Sequence, residues 1–332
     1  MDIVAKPPED RKDRNIPVTG RYRYVVYGIV VESEFPLHSI EVADDPTADT
    51  AISIVLGPPA YFQAKPRVLA ASPDDWFHHA VLPDGDVYIR ADGIFEAVVS
   101  SDGCNAVCAR LAGIDDRSFE ANLLNFVLSI SLTLRGEEPL HATVVNLGHH
   151  AVGLLGPSGA GKSTLAAFLI GQGATLITDD ILRLTLADGR AFAHCGPHRL
   201  KLFDEPAKRF LPEAMGDGHW NAMSGKIMMR PHAPEPGRCA SRSLSALFWL
   251  DEPDLPSAGL TVTSARLSGI ELARTLTVSA MEIRYYAPDR LTRQLRFVER
   301  LAHMLPVYAL RYGRSYSLLE QVAGEIRRRV EA

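Results

Sequence analysis

Cysteine is scarce in this chain: four in 332 residues, too few for a disulfide-stapled scaffold. No apolar run reaches the ~18–20 residues that span a bilayer, which excludes a membrane-spanning helix. There is no basic excess either. Lys and Arg number 35 against 40 Asp and Glu, a formal net charge of −5, and a dedicated nucleic-acid binder usually has the opposite balance. The opening stretch MDIVAKPPEDRKDRN lacks the apolar core of a secretory signal. These absences point to a cytoplasmic, reducing setting, with neither nucleic acid nor membrane as partner. What remains is ordinary globular composition, 46% hydrophobic and 23% charged. At roughly 100–200 residues per domain, the length suits two domains or one large domain with an appendage. There is no internal repeat and no low-complexity tract.

Hydrophobic patterning divides the chain. Residues 1–20 read as a flexible lead-in. Residues 21–115 read as a β-rich N-terminal module, with strands expected over 21–31 (RYRYVVYGIVV), 51–56, 86–90 and 94–99. Apolar residues at helical spacing predict a helix over 117–135. The rest, 116–332, reads as an α/β domain. Strands are expected at 140–147 and 151–155, a helix at 163–170, and strands at 174–177, 182–186 and 244–250. Further helices are expected near 268–277, 290–304 and 315–331. Residues 211–240, rich in Gly, Pro, His and Met, read as a loop-rich insertion.

One motif in the second part is complete. Gly156-Pro157-Ser158-Gly159-Ala160-Gly161-Lys162-Ser163 fits G-x-x-x-x-G-K-[ST], with an apolar strand before it and a helix after it. The glycines let successive backbone N–H groups turn inward around a polyphosphate, and the helix N-terminus adds partial positive charge. Gly156, Ser158, Gly159, Ala160, Gly161, Lys162, Ser163 and Thr164 are therefore the expected nucleotide-binding residues. Lys162 is assigned to the β- and γ-phosphates, and the Ser163 hydroxyl to Mg²⁺. Such a site needs a carboxylate at the end of a neighbouring strand. Asp179-Asp180 closes the strand ATLIT sixteen residues beyond Ser163, far sooner than in a typical P-loop nucleotidase.

The run LHATVVNLGHHAVGLLGPSGAGKSTLAAFLIGQGATLITDDILRL, from Leu140, resembles the catalytic domain of the HPr kinase/phosphorylase family. Tyr27–Ser33, Pro197–Leu202 and Tyr312-Gly313-Arg314 more loosely resemble its branch of lasso-peptide precursor kinases. The resemblance implies an α/β P-loop domain related to phosphoenolpyruvate carboxykinase, with ATP and Mg²⁺ as cofactors. It also implies transfer of phosphate to a serine on a peptide or protein, here a ribosomal (lasso-type) precursor, and self-association into a homo-oligomer. By the same resemblance, Asp179 is the acid that deprotonates the acceptor serine, Asp180 its partner at the metal, and His141 the histidine on the strand before the P-loop. Two other readings stay open: phosphoryl transfer to a small molecule in a carboxykinase-like site, and a non-catalytic nucleotide sensor.

The stretch GPSGAGKSTL also resembles an ABC-transporter ATPase, with Leu247–Pro253 (LFWLDEP) in the place of its Walker B motif. The order argues against it, because Leu267-Ser268-Gly269, the only signature-like fragment, follows that strand instead of preceding it. Without the family resemblance, His141 reads as a core histidine. Arg199 and Lys201 read equally as cations that neutralise transition-state charge, the role that puts Arg199 among the catalytic candidates, or as a charged strand edge. Lys226 reads as a solvated loop residue or as a mobile cation over the γ-phosphate. Arg311 and Arg314 read as nucleotide contacts or as surface charge. Cys104 and Cys108 read as small buried residues, with a redox pair as the alternative. His194, Cys195, His198, His219 and His232 fit no zinc spacing.

Overall fold

The computed structural model describes residues 21–43, 50–63, 65, 76–221, 224–231, 241–251, 261–282, 285 and 287–331. The lead-in 1–20, residues 222–223 and 232–240 of the expected insertion (His232 among them), and the Glu252-Pro253 turn lie outside the described residues. No described helix is long and apolar enough to cross a membrane.

The first half builds an eight-stranded sheet from β1 (Tyr22–Val26), β2 (Ile29–Ser33), β3 (Glu41–Val42), β4 (Ile52–Leu56), β5 (Phe77–Val81), β6 (Val87–Ala91), β7 (Phe95–Val99) and β8 (Asn105–Arg110). Short helix α1 (Pro59–Gln63) follows β4, and the strand order is β3-β1-β2-β4-β8-β7-β6-β5. The single strand expected over 21–31 is two strands. Tyr27 and Gly28 both take positive φ, 53° and 67°, and the chain reverses there into a tight hairpin. Helix α2 (Asp116–Leu134) is capped by Asp115, whose side chain accepts from the Ser118 N–H. Its buried Phe119, Leu123, Val127 and Ile130 join one core with Val31, Ile52 and Phe95 of the sheet. Each such side chain is worth roughly 1.5–3 kcal/mol of burial.

The second half is organised around a nine-stranded sheet. Its main run is β11 (Thr175–Thr178), β9 (Leu140–Leu147), β10 (His150–Leu155), β18 (Arg242–Asp251), β14 (Arg190–Ala193) and β13 (Leu184–Ala187). Strand β12 (Ile181–Leu182) adds to β9, β20 (Val307–Arg311) to β18, and β19 (Thr263–Arg266) to β20. Alternate residues feed two cores. Val152 and Leu154 pack with α3 (Lys162–Gly171), α4 (Asp204–Phe210) and α7 (Leu319–Glu331). Ala151 and Leu155 face the core shared with α5 (Gly269–Val278) and α6 (Pro288–Met304). Burial on both faces explains the near-continuous apolar runs of these strands.

A third, three-stranded sheet has the order β15 (Leu200–Leu202), β17 (Lys226–Met229), β16 (His219–Asn221). The loop-rich reading of 211–240 is therefore corrected at 219–221 and 226–229. Ile227 and Met229 are buried in the core under α3, and that burial stabilises strands too short to stand out by pattern.

Candidate active site

Strand directions gather the expected residues at one end of the large sheet. β9 runs antiparallel to both β10 and β11, so β10 and β11 end where β9 begins. His141 opens β9, Gly156 follows β10, and Asp179-Asp180 follow β11. β18 and β20 run parallel to β10, which brings Asp251, Arg311 and Tyr312 to the same end. In open α/β sheets this carboxyl edge is where ligands bind.

The loop 156–161 turns on glycines. Gly161, at φ 93°, is the residue before α3, and a left-handed conformation there strains any residue with a Cβ. Lys162 is buried. Its Nζ donates to the carbonyls of Gly156 (2.7 Å) and Pro157 (3.1 Å) and so bridges its own loop. Burial holds its pKa below the usual lysine value, while the charges of Asp179 and Asp180 oppose the shift. Ser158 and Gly159 are exposed, and the Ser163 hydroxyl makes no hydrogen bond among the described residues. Gly159, Ala160, Gly161 and Thr164 form one wall of a cavity of about 180 Å³; Tyr312, Arg314 and Tyr316 line the other.

The two aspartates sit in different environments. Asp179 is 7% exposed. One of its oxygens accepts from the Thr143 hydroxyl at 2.6 Å, the other from the Lys201 backbone N–H at 3.2 Å. Burial, and then the charge of Asp180, raise its pKa above the ordinary 3.8. Asp180 accepts from Lys201 Nζ at 2.7 Å. Although burial opposes it, the Lys201 charge holds Asp180 well below the carboxylate range. Two adjacent acids are thus driven apart, the pattern that separates a proton acceptor from a permanently ionised group. Asp180 also takes φ 70°, a sparsely populated conformation for a residue with a Cβ.

His141 Nδ1 lies 3.0 Å from the Asp180 carbonyl oxygen, so the carbonyl accepts from the protonated Nδ1 and Nε2 is left as the acceptor nitrogen. Burial and the Lys162 charge lower its pKa and keep the ring neutral.

Arg199 lies close enough to Asp180 for its charge to help lower that acid's pKa, but its hydrogen bonds point away from the pair. Its guanidinium donates to Ser39 Oγ (3.0 Å) and to the Ala121 carbonyl (2.8 Å), on the side of the first sheet and α2. Two of its five N–H donors are used there, and the cation hydrogen-bonded to the acid pair is Lys201. Lys226 opens β17, with its Nζ 5.2 Å from the Phe203 ring centre, and its charge also lowers the Lys162 pKa. Arg311 pairs with Asp251 at 2.8 Å. Cys104, Cys108 and Cys195 are free thiols.

Two residues escaped sequence reasoning. Thr143 stands two positions after His141, on the same face of β9, and that period-two spacing was the available signal. Tyr27 opens the stretch Tyr27–Ser33 that resembles the kinase branch, but nothing in that stretch places its ring near the acids. On the hairpin of the first sheet its ring is fully buried: burial, and then the charges of the acid pair against that of Arg199, raise its pKa. Its N–H donates to the Cys195 carbonyl at 2.7 Å, and its own carbonyl accepts from Arg183 at 2.9 Å.

No family model matches the chain, and no curated protein matches it. Among solved structures it is similar to the HPr(Ser) kinase/phosphatase from Coxiella burnetii. That match has 13% sequence identity and a TM-score of 0.32, and it covers 58% of this chain and 99% of that one.

Proposed function

We propose that this protein transfers the γ-phosphoryl group of ATP to a serine hydroxyl on a peptide or protein. One observation carries the reading. A complete phosphate-binding loop and a carboxylate with a raised pKa, held by Thr143 and the Lys201 N–H, share one end of the sheet. The resemblance of 140–186 and 197–202 to the serine-kinase family supports the serine acceptor and a ribosomal precursor peptide as its source.

The backbone N–H groups of 156–163 and Lys162 would hold the triphosphate, and the cavity between Thr164 and Tyr316 would take the nucleoside. Asp179, aimed by its two hydrogen bonds, accepts the proton of the attacking hydroxyl. His141 fixes the backbone of Asp180 and leaves Nε2 for the acceptor. Lys201 keeps Asp180 ionised and adds positive charge beside the transferred group.

The residues fit Mg²⁺. Asp180 is ionised and partly open, the Ser163 hydroxyl has no hydrogen bond among the described residues, and both are oxygen donors suited to a hard cation. No group of three or more His, Cys, Asp or Glu forms a metal cage among the described residues. Bound there, Mg²⁺ offsets charge on the phosphates.

The test is intact-mass analysis of serine-bearing peptides after incubation with ATP and Mg²⁺, wild type beside Asp179→Asn. A gain of about 80 Da with wild type alone supports the proposal. No gain on any such peptide, with ATP binding demonstrated, overturns the peptide acceptor.

A further inference from the structure

A second recess lies beyond the acid pair. Strand β13 ends the large sheet and pairs only with β14 among the described residues, so its outer edge faces no further strand. Helix α6 runs beside it, and between them opens a groove of about 360 Å³. β13 contributes Thr185 and α6 contributes Arg293, Arg296, Phe297 and Arg300. Arg293 is drawn toward the buried Glu138, 3.8 Å away. Arg296 and Arg300 are exposed. Arg300 reaches the Leu186 carbonyl at 3.2 Å, and Arg296 has no hydrogen bond or ion pair among the described residues.

We infer that this groove docks an acidic, extended segment of the peptide acceptor as an added strand on β13. The inference rests on the peptide-acceptor reading above. An open strand edge supplies the main-chain hydrogen bonds of strand addition, with Arg300 turning from the Leu186 carbonyl to the acid of the peptide. Arg296 and Arg300 are four residues apart on α6, about 6 Å along the helix axis. Alternate residues of an extended strand repeat at about 6.6 Å. Acidic side chains at every second position therefore meet the two arginines in turn, and the intervening side chains face the other way. The groove is also connected to the chemistry. β13 begins four residues after Asp180, on the order of 13 Å of extended chain. An acceptor serine a few residues from its acidic stretch can occupy both places at once.

The probe is a short fluorescein-labelled peptide alternating aspartate with valine, titrated with the full chain and followed by anisotropy without nucleotide. Wild type is expected to bind it. Arg296→Glu combined with Arg300→Glu is expected to weaken binding by at least about tenfold, with the unfolding temperature unchanged. A version N-methylated on alternate amides, which keeps the charge but cannot form the ladder, is expected to bind several-fold more weakly. Absence of binding, equal binding by the charge-reversed variant, or equal binding of the N-methylated peptide overturns the proposal. So does displacement by inorganic phosphate beyond that of sodium chloride at equal ionic strength, which would mark a small-anion site.

The two readings fail separately. Peptide binding retained by Lys162→Ala, with no phosphoryl transfer by wild type to a serine-bearing version, sinks the kinase reading and leaves the groove. Transfer to that version with unchanged KM in the charge-reversed variant sinks the groove and leaves the kinase.

Discussion

The Thr143 hydroxyl donates to the Asp179 carboxylate at 2.6 Å, joining the start of β9 to the end of β11 across the sheet. Asp179 also accepts from the Lys201 N–H, so both of its oxygens are held from different elements. A hydrogen bond to a charged group contributes roughly 1.5–3 kcal/mol. Replacing Thr143 with Val keeps the side-chain shape and removes the donor. The expected result is a fall in kcat of about 10- to 100-fold, with the nucleotide Kd little changed. Equal losses in kcat and in ATP binding would mean that Thr143 supports the loop instead of the acid.

Lys162 and Asp179 separate binding from chemistry. Lys162→Ala removes the cation that bridges the Gly156 and Pro157 carbonyls, and it should weaken ATP binding and abolish transfer together. Asp179→Asn keeps an acceptor oxygen for Thr143 but cannot take a proton. Turnover should fall by about 10²–10⁴-fold with ATP binding retained. Calorimetric titration of ATP into both variants, beside turnover assays, checks the contrast.

These contrasts also show which parts of the site were legible in sequence. The phosphate loop was readable because its donors are consecutive backbone groups, which leave a contiguous motif. The Asp179-Asp180 pair was readable by its position after a strand. Lys201 could be named as a cation near the acid strand, but its bond to Asp180 depends on β15 pairing with β17, a register no local pattern reveals. Arg199, two positions earlier and equally eligible by composition, turns instead toward Ser39 and Ala121. The hairpin at Tyr27-Gly28 stayed hidden because tyrosine rarely takes positive φ, so RYRYVVYGIVV reads as one strand. Strand β20 was missed as well. It is a short segment between two helices, and its pairing partner β18 lies far back in the chain.

The hairpin also packs against the second half of the chain. A Cβ placed on Gly28 would lie 2.2 Å from His194 Nδ1, and Gly28 takes φ +67°. Gly28→Ala should therefore strain the backbone and push the imidazole off Thr185, whose hydroxyl lies 2.7 Å from His194 Nε2. A loss of about 1–3 kcal/mol is expected, read from the urea midpoint. Adding His194→Ala should recover the steric part, so the double variant should lose less than the sum of the single losses. Strict additivity would place the strain elsewhere.

His194 itself makes stability depend on pH. Burial, and then the Arg183 charge, lower its pKa from the ordinary 6.5 to about 4. Between those values the unfolded chain binds a proton that the folded chain does not. Stability must therefore rise with pH across that window, and fall as pH drops from 6.5 toward 4. Above 6.5 the residue is neutral in both states and contributes no slope. Replacing it with Gln, which can still hydrogen-bond Thr185, removes the ionisation. Urea unfolding at pH 7 and pH 5 should show a larger drop for wild type than for His194→Gln. The same drop in both would assign the acid sensitivity to other groups.

Asp180 supplies the last contrast, between a metal ligand and a structural ion-pair partner. Asparagine tolerates positive φ nearly as well as aspartate, so Asp180→Asn changes charge with little backbone cost. It also leaves Lys201 Nζ, only 11% exposed in its side chain, without its ionised partner. A buried cation losing its counter-charge predicts a lower unfolding temperature whether or not metal is present. If Asp180 also ligates Mg²⁺, the concentration for half-maximal activity should rise by at least about tenfold, and saturating Mg²⁺ should restore part of the lost rate. Titrating Mg²⁺ in the activity assay, with thermal unfolding in the presence of EDTA, separates the effects. A lower unfolding temperature with an unchanged Mg²⁺ requirement would leave Asp180 as the anchor of Lys201 alone. The metal would then rest on Ser163 and the phosphates.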